Sequence, residues 1–300
     1  MIYWGYLLST FLIAAAIYFL RDRERGQSIF ALLKYCFPAS VYRTRSFVHD
    51  VAILVINLIL FGLVLSFVSF TAERLGSGIY HWMLSQFGAV ASPANGTVAS
   101  VLYMLAVMLA VDLGFFISHY LHHKIPLLWE FHKVHHTAPV LNPLTALRRH
   151  PLDLFIELNI TALLLGFVIA CASYLSNDKL DMLSILGVNA GVFIFLMIGS
   201  HLQHSHIWLS YGPLNKLFVS PAMHHIHHSF AEEHLDKNMG SMFSFWDWIM
   251  GTRYIPQKRE KLTLGLASEE DTKNLATLGD LYIQPFIRLF HRLFLRNGRH

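Results

Sequence analysis

The chain has 300 residues, 54% of them hydrophobic and only 14% charged, against about 25% charged in an ordinary soluble domain; with a mean hydropathy of +0.45 this points to a membrane protein. The net charge of +4 comes from basic residues flanking apolar runs, not from one basic patch interleaved with aromatics, which argues against a nucleic-acid partner. The two cysteines, Cys36 and Cys171, lie in unlike surroundings and outside any CxxC pair, so neither a disulfide framework nor a thiolate metal site is expected.

Residues 2–20 are apolar and long enough to cross about 30 Å of hydrocarbon. The basic cluster Arg21, Arg23 and Arg25 follows this run instead of preceding it, unlike a cleaved signal. Further spans are expected at about 51–70, 98–118, 154–175 and 182–200, the last two alternatively forming a hairpin that enters and leaves without fully crossing. Five crossings beginning outside leave 21–50, 119–153 and 201–300 inside. These segments hold 21 of the 23 Lys and Arg residues, as the positive-inside rule requires. The expected fold class is therefore all-α: an integral membrane helical bundle with a cytoplasmic, histidine-rich helical cap. Three regions follow: 1–97, an N-terminal membrane region of two spans and an outer loop; 98–256, a catalytic domain carrying the histidine boxes; and 257–300, an amphipathic tail. In that tail Leu, Ile and Phe lie on one face and Arg288, Arg292 and Arg296 on another, the pattern of a membrane-surface helix.

The chemistry is concentrated in HYLHHKIPLLWEFHKVHH, residues 119–136, and HHIHH, residues 224–228. Helical positions i, i+3 and i+4 share a face, so His132, His135 and His136 form one cluster and His224, His227 and His228 another; His119 and His123 add a pair. Adjacent positions diverge by about 100°, so His135 and His136, like His227 and His228, can reach different metals. A lone buried histidine is ordinarily a hydrogen-bonded core residue. Three clusters in one hydrophobic chain would each need separate partners, and their number suits two metals better than one. His122 and His225 are spare members, expected beside the ligands or at the surface. Asp112 lies two turns before His119 on the same face, where an unpaired carboxylate is costly. It is expected either to hold and tune a ligating imidazole from another helix or to make a buried structural ion pair or hydrogen bond. Pro221 can open the helix that carries His224 to His228.

These boxes, embedded as DLGFFISHYLHHKIPLLWEFHKVHH and SPAMHHIHH, are flanked by Arg149-His150-Pro151, Asn238-x-Gly240, Trp246-Asp247 and Gly251-Thr252. In combination they resemble the fatty acid hydroxylase/sterol desaturase superfamily of membrane di-iron oxygenases over roughly residues 100–255. The resemblance implies two Fe ions and O2, with the eight box histidines as ligands and a further one between the second and third boxes. His204, in QHSH, fits that place best; His201 is in reserve, and His206 stands where the family has asparagine. Tyr120 replaces a common arginine and Asp153 a common glutamate, departures that bear on substrate class. The implied reaction is hydroxylation or desaturation of a C–H bond of a lipid, whether sterol, fatty acyl or sphingolipid-like. Electrons would come from a separate donor, cytochrome b5-like or ferredoxin-like, because the chain carries no flavin, haem-attachment or ferredoxin motif. The alternatives are an ether-lipid or carotenoid oxygenase on the same scaffold, or a non-enzymatic metal-binding or transport protein. A transporter would place its ligands near the bilayer midplane and not at one edge.

Overall fold

The computed structural model describes residues 4–21, 28–61, 71–185, 187–198 and 200–295. The cluster residues Arg23 and Arg25, the second half of the expected 51–70 span, and Arg296 lie outside these residues. Helices α1 (Trp4–Arg21), α2 (Ile29–Cys36), α3 (Ala39–Tyr42), α4 (Arg45–Leu60) and α5 (Ala72–Phe87) precede α6 (Gly96–Lys124), α7 (Pro126–His136) and α8 (Pro151–Ser176). Among the described residues, α6 and α8 are the helices long and apolar enough to cross a membrane, at about 39–44 Å for a rise of about 1.5 Å per residue. The only paired strands described are β1 (Ser184–Ile185) and β2 (Val188–Asn189), so the chain is all-α.

Proline marks the start of each short turn into the histidine region. It occupies the first position of α7, α8 and α10 (Pro221–His227), where its missing N–H is not needed and its ring disfavours helix in the residue before it. Ile125 is accordingly extended, at φ −100° and ψ 112°, and breaks α6 from α7. The chain folds back there, bringing the His132 ring to 4.7 Å from that of His119. Ser220 caps α10 by accepting from Met223 N, so the expected helix around the third box forms from Pro221.

Helices α6 and α8 approach too closely for a side chain at Gly114, where a Cβ would lie 2.6 Å from Thr161 Oγ1. Small residues at such crossings let backbones pack closely. The expected outer loop at 71–97 differs: Ala72–Phe87 is helix α5, packed along the second half of α8 with Gly76 against Gly166. Its apolar character is diluted by Glu73, Arg74 and small residues, so hydropathy alone did not mark it.

The expected 182–200 span is not a continuous helix. It is the β1–β2 hairpin followed by an eight-residue helix, α9 (Ala190–Met197), about 12 Å long. Asn189 causes the change: its side chain accepts from Val192 N, opening α9, and donates to Met104 O on α6 at 2.9 Å. Met104 is fifteen residues, about 22 Å, from His119, and the chain descends along α6 to the short turn Ser200–His204.

Helix α4 braces the loop between α7 and α8. Asp50 is fully buried and accepts from Arg148 Nε and Asn142 Nδ2, while Asn57 Nδ2 donates to Arg149 O at 2.8 Å. The C-terminal α11 (Phe245–Met250), α12 (Glu269–Asn274) and α13 (Leu278–Phe290) complete the chain. Leu281 of α13 packs with Ile53 and Val134. The basic face of the tail is internal: Arg292 Nε reaches Glu130 Oε1 at 2.8 Å and Arg288 pairs with Asp271. Its opposite face, including Ile283, Phe286 and Phe290, is exposed.

Candidate metal centre

The nine histidines singled out in the sequence meet in two groups. His119, His123, His132, His136 and His227 form one, and His135, His204, His224 and His228 the other; within each group one ring nitrogen per residue lies within 4.8 Å of all the rest. The adjacent pairs divide as helical geometry predicts: His135 joins one group and His136 the other, and His228 and His227 likewise. Between the second and third boxes it is His204, not His201, that enters a group.

What the other ring nitrogen does decides which atom is free. His119 Nδ1 lies 2.7 Å from Met239 O, His227 Nδ1 2.9 Å from Lys237 O, and His135 Nδ1 3.3 Å from Arg148 O. A carbonyl only accepts, so each Nδ1 carries the proton and each Nε2 presents a lone pair. His132 Nδ1 is held by Asp153 at 3.0 Å and His123 Nδ1 by Asp236 at 3.3 Å. In the first group all five Nε2 atoms are buried without a hydrogen-bond partner. Such atoms are costly unless something binds them.

The second group is tighter. His204 Nε2 is 3.1 Å from His135 Nε2 and 2.9 Å from His224 Nε2, and His228 Nε2 is 3.2 Å from His224 Nε2. Nitrogens around one cation at bonds of about 2.0–2.1 Å stand about 2.9–3.4 Å apart, so the spacing fits a shared ion. Burial, reinforced by the neighbouring imidazoles, pushes His132, His135, His136, His224, His227 and His228 well below the usual imidazole range, and His204 down to about 3. The rings are neutral at pH 7, and metal binding need displace no proton from them.

The partners of these rings were missed in the sequence. Asp153 is fully buried and takes both His132 and the Arg149 guanidinium, whose Nε lies 3.0 Å from Asp153 Oδ2. In the sequence it stands out only as a departure from a common glutamate; its position two residues after a proline-opened helix start is the available signal. Asp236 lies in a turn with φ 57°, and the hydrogen bond from His123, with a second from Lys124, holds its carboxyl well below the usual range. Backbone carbonyls of Met239 and Lys237 leave no trace in residue identity.

Of the two roles expected for Asp112, partner of an imidazole or buried structural hydrogen bond, its contacts match the second. Its three hydrogen bonds all go to one segment: from Met242 N at 2.8 Å, Phe243 N at 3.1 Å and Trp246 Nε1 at 2.9 Å. It braces the loop whose Met239 carbonyl holds His119, so it belongs to the structural alternative. Asp247 shares that task, accepting from Met239 N at 2.7 Å and Gly240 N at 2.8 Å. A Cβ on Gly240 would lie 2.7 Å from Phe243 O, which explains a glycine there. In Asp112→Asn the amide nitrogen cannot accept, so one donor is stranded at about 1–3 kcal/mol. The expected result is a lowered unfolding midpoint, with metal loss following the loop. Unchanged stability with impaired turnover would instead return Asp112 to the chemistry.

The spare histidines stay outside both groups. His122 Nδ1 lies 2.7 Å from Ser118 O, with Nε2 3.5 Å from Asp153; His225 Nε2 is 3.1 Å from Leu202 O, and His206 Nε2 2.7 Å from Tyr35 O. His201 sits against the Tyr6 ring. A cavity of about 190 Å³ opens onto both groups through His123, His136, His227 and His228, with Trp129 and Phe230 among its apolar walls.

Residues 104–252, about half of the chain, match the family model of fatty acid hydroxylases. The chain is 25% identical over 189 residues to human (Homo sapiens) alkylglycerol monooxygenase, covering 63% of this chain and 36% of that protein. It is 26% identical over 181 residues to the ornithine lipid hydroxylase OlsE of Rhizobium tropici, covering 60% and 49%, and 31% identical over 157 residues to human cholesterol 25-hydroxylase, covering 50% of each. The matched region thus spans half or less of the length of these relatives. No solved structure matches the chain. The matched residues contain all nine clustered histidines and the aspartates that hold them, and the chain belongs to the fatty acid hydroxylase superfamily.

Proposed function

We propose that the protein is a membrane oxygenase in which the nine clustered histidines hold two iron ions and a C–H bond of a lipid is hydroxylated or desaturated with O2. The observation that carries this is the convergence of five unpartnered, buried Nε2 atoms beside a second group of four imidazoles. Imidazole suits iron, zinc and copper alike; the family membership favours iron. Bound there, iron would supply the reduction of O2 and the removal of hydrogen from an unactivated carbon.

The remaining tasks fall to the chain. The carbonyls and carboxylates on Nδ1 fix the tautomer and aim of each ring. None of the nine clustered groups is a carboxylate, so negative charge reaches the centre only at one remove, through Asp153 behind His132 and Asp236 behind His123. Trp129 and Phe230 give the adjoining cavity apolar walls, suited to a hydrocarbon and hostile to water. Electrons come from a separate donor, of cytochrome b5-like or ferredoxin-like type. The two long apolar helices and the basic bias of 119–153 and 201–300 support a multi-pass membrane protein with its centre on the cytoplasmic side. The return of the chain along α6 after α8 is compatible with that sidedness.

The relatives' names cover an alkylglycerol, an ornithine lipid and cholesterol, so lipid is the shared substrate class. The test is turnover by purified protein carrying two irons, with reductant, isotopically heavy O2 and a panel of lipids. The expected product carries one heavy oxygen atom, or lacks two hydrogens if the chain desaturates. Similarity to alkylglycerol monooxygenases supports the ether-lipid alternative: hydroxylation of the carbon beside an ether oxygen gives a hemiacetal whose C–O ether bond breaks to give an aldehyde and an alcohol, which the same assay detects. Iron-loaded protein that consumes O2 but modifies no lipid would sink the reading.

A further inference from the structure

Away from the metal centre, two cavities meet at Ser205 and His206. One, of about 230 Å³, runs between α1 and α2 and is walled by Leu7, Phe11, Ala14, Phe37 and Leu202. The other, of about 350 Å³, is lined by Trp208 and Leu262 and rimmed by Arg259 and Lys261. None of the nine clustered histidines lines either.

The two halves differ in chemistry. The apolar half reaches the surface at Leu7 and Phe37, which are 44% and 55% exposed, beside the apolar helix α1. At the basic half, Arg259 and Lys261 are both exposed, and among the described residues neither is in an ion pair. Glu260 also lines this cavity, and its carboxylate is engaged by other groups: Oε2 lies 3.0 Å from His234 Nε2 and 3.0 Å from Tyr254 OH. At the junction His206 donates from Nε2 to Tyr35 O, leaving Nδ1 as an acceptor, and that atom is buried without a partner. A ligand that satisfies all three features is apolar at one end, carries a hydroxyl at the neck, and is negatively charged at the other end.

We propose that these cavities form one binding site for a single-chain anionic membrane lipid with a free hydroxyl between its chain and its anion, the chemistry of a lysophosphatidate. Its chain lies between α1 and α2, its hydroxyl donates to His206 Nδ1, and its anion is held by Arg259 and Lys261. The lipid would tie α1 and α2 to the segment Ser205–Ile207. The site is independent of the oxygenase reading, since it needs no metal and lies outside the cavity that touches the histidine groups.

The test uses full-length, metal-loaded protein in detergent, exchanged against lysophosphatidic acid, lysophosphatidylcholine or inorganic phosphate and examined by native mass spectrometry. One lysophosphatidic acid per chain is expected to be retained in preference to lysophosphatidylcholine. The double variant Arg259→Ala/Lys261→Ala should weaken that retention at least about tenfold, and His206→Phe, which removes the neck acceptor, should weaken it as well. Equal retention of the two lipids, or no loss in the double variant, overturns the proposal. So does competition by inorganic phosphate as effective as that of the lipid, because the apolar half would then contribute nothing. Metal content measured on the same samples should stay unchanged; it reports separately on the histidine centre and shows that the variants are folded.

Discussion

Replacing His228 by alanine is expected to reduce bound metal from about two ions per chain toward one and to lower lipid turnover by about a hundredfold or more. The group of His135, His204, His224 and His228 has only four imidazoles. Removing one leaves three donors and an opening toward the cavity that His228 also lines. The neighbouring group of five loses nothing directly, so the loss should be confined to one ion. The control is His201→Ala: His201 has the same chemistry and lies one helical turn from His204, but its ring belongs to neither group and rests on Tyr6. It should keep both metals. Metal analysis of purified protein decides the matter, and a His228→Ala protein with full metal and full turnover would remove this residue from the centre.

The second large effect is expected at Asp153. This carboxylate is fully buried, holds His132 at its Nδ1, and neutralises Arg149, which otherwise has only Glu157. Asp153→Asn removes the charge with little change in volume. Breaking one side of a buried ion pair costs about 3–5 kcal/mol, and loss of the group that orients a ligating imidazole costs about 10–100-fold in metal affinity. Denaturant midpoints and resistance to chelator should therefore both fall. Asp153→Glu keeps the charge on a longer arm and should recover part of each. If the asparagine variant resists denaturant and chelator as well as the parent does, Asp153 is neither brace nor anchor, and the aim of His132 must be set elsewhere.

The two effects differ in how legible they were. His228 was recognisable from spacing alone, because i, i+3 and i+4 on a helix put side chains on one face whatever the rest of the chain does. The same local rule separated His135 from His136. Asp153 was visible as a residue but not as a partner of His132, twenty-one positions earlier. For Asp112 the sequence leaves two roles open, imidazole partner or structural hydrogen bond, and the segment around Met242 to Trp246 takes all three of its hydrogen bonds.

Hydropathy likewise located α6 and α8 well but misjudged the stretch at 182–200, where Asn189 bonds both Val192 N and Met104 O and replaces a long helix by a hairpin and two turns. By itself the sequence determined what short-range geometry and composition govern: the long apolar helices, the prolines that open α7, α8 and α10, and the faces on which the histidines stand. Only the tertiary structure decided which imidazoles gather into one group, which atoms hold their second nitrogens, and where α5 and the return segment pack. Those outcomes depend on contacts between residues ten to more than a hundred positions apart, and on backbone carbonyls that every residue type carries alike.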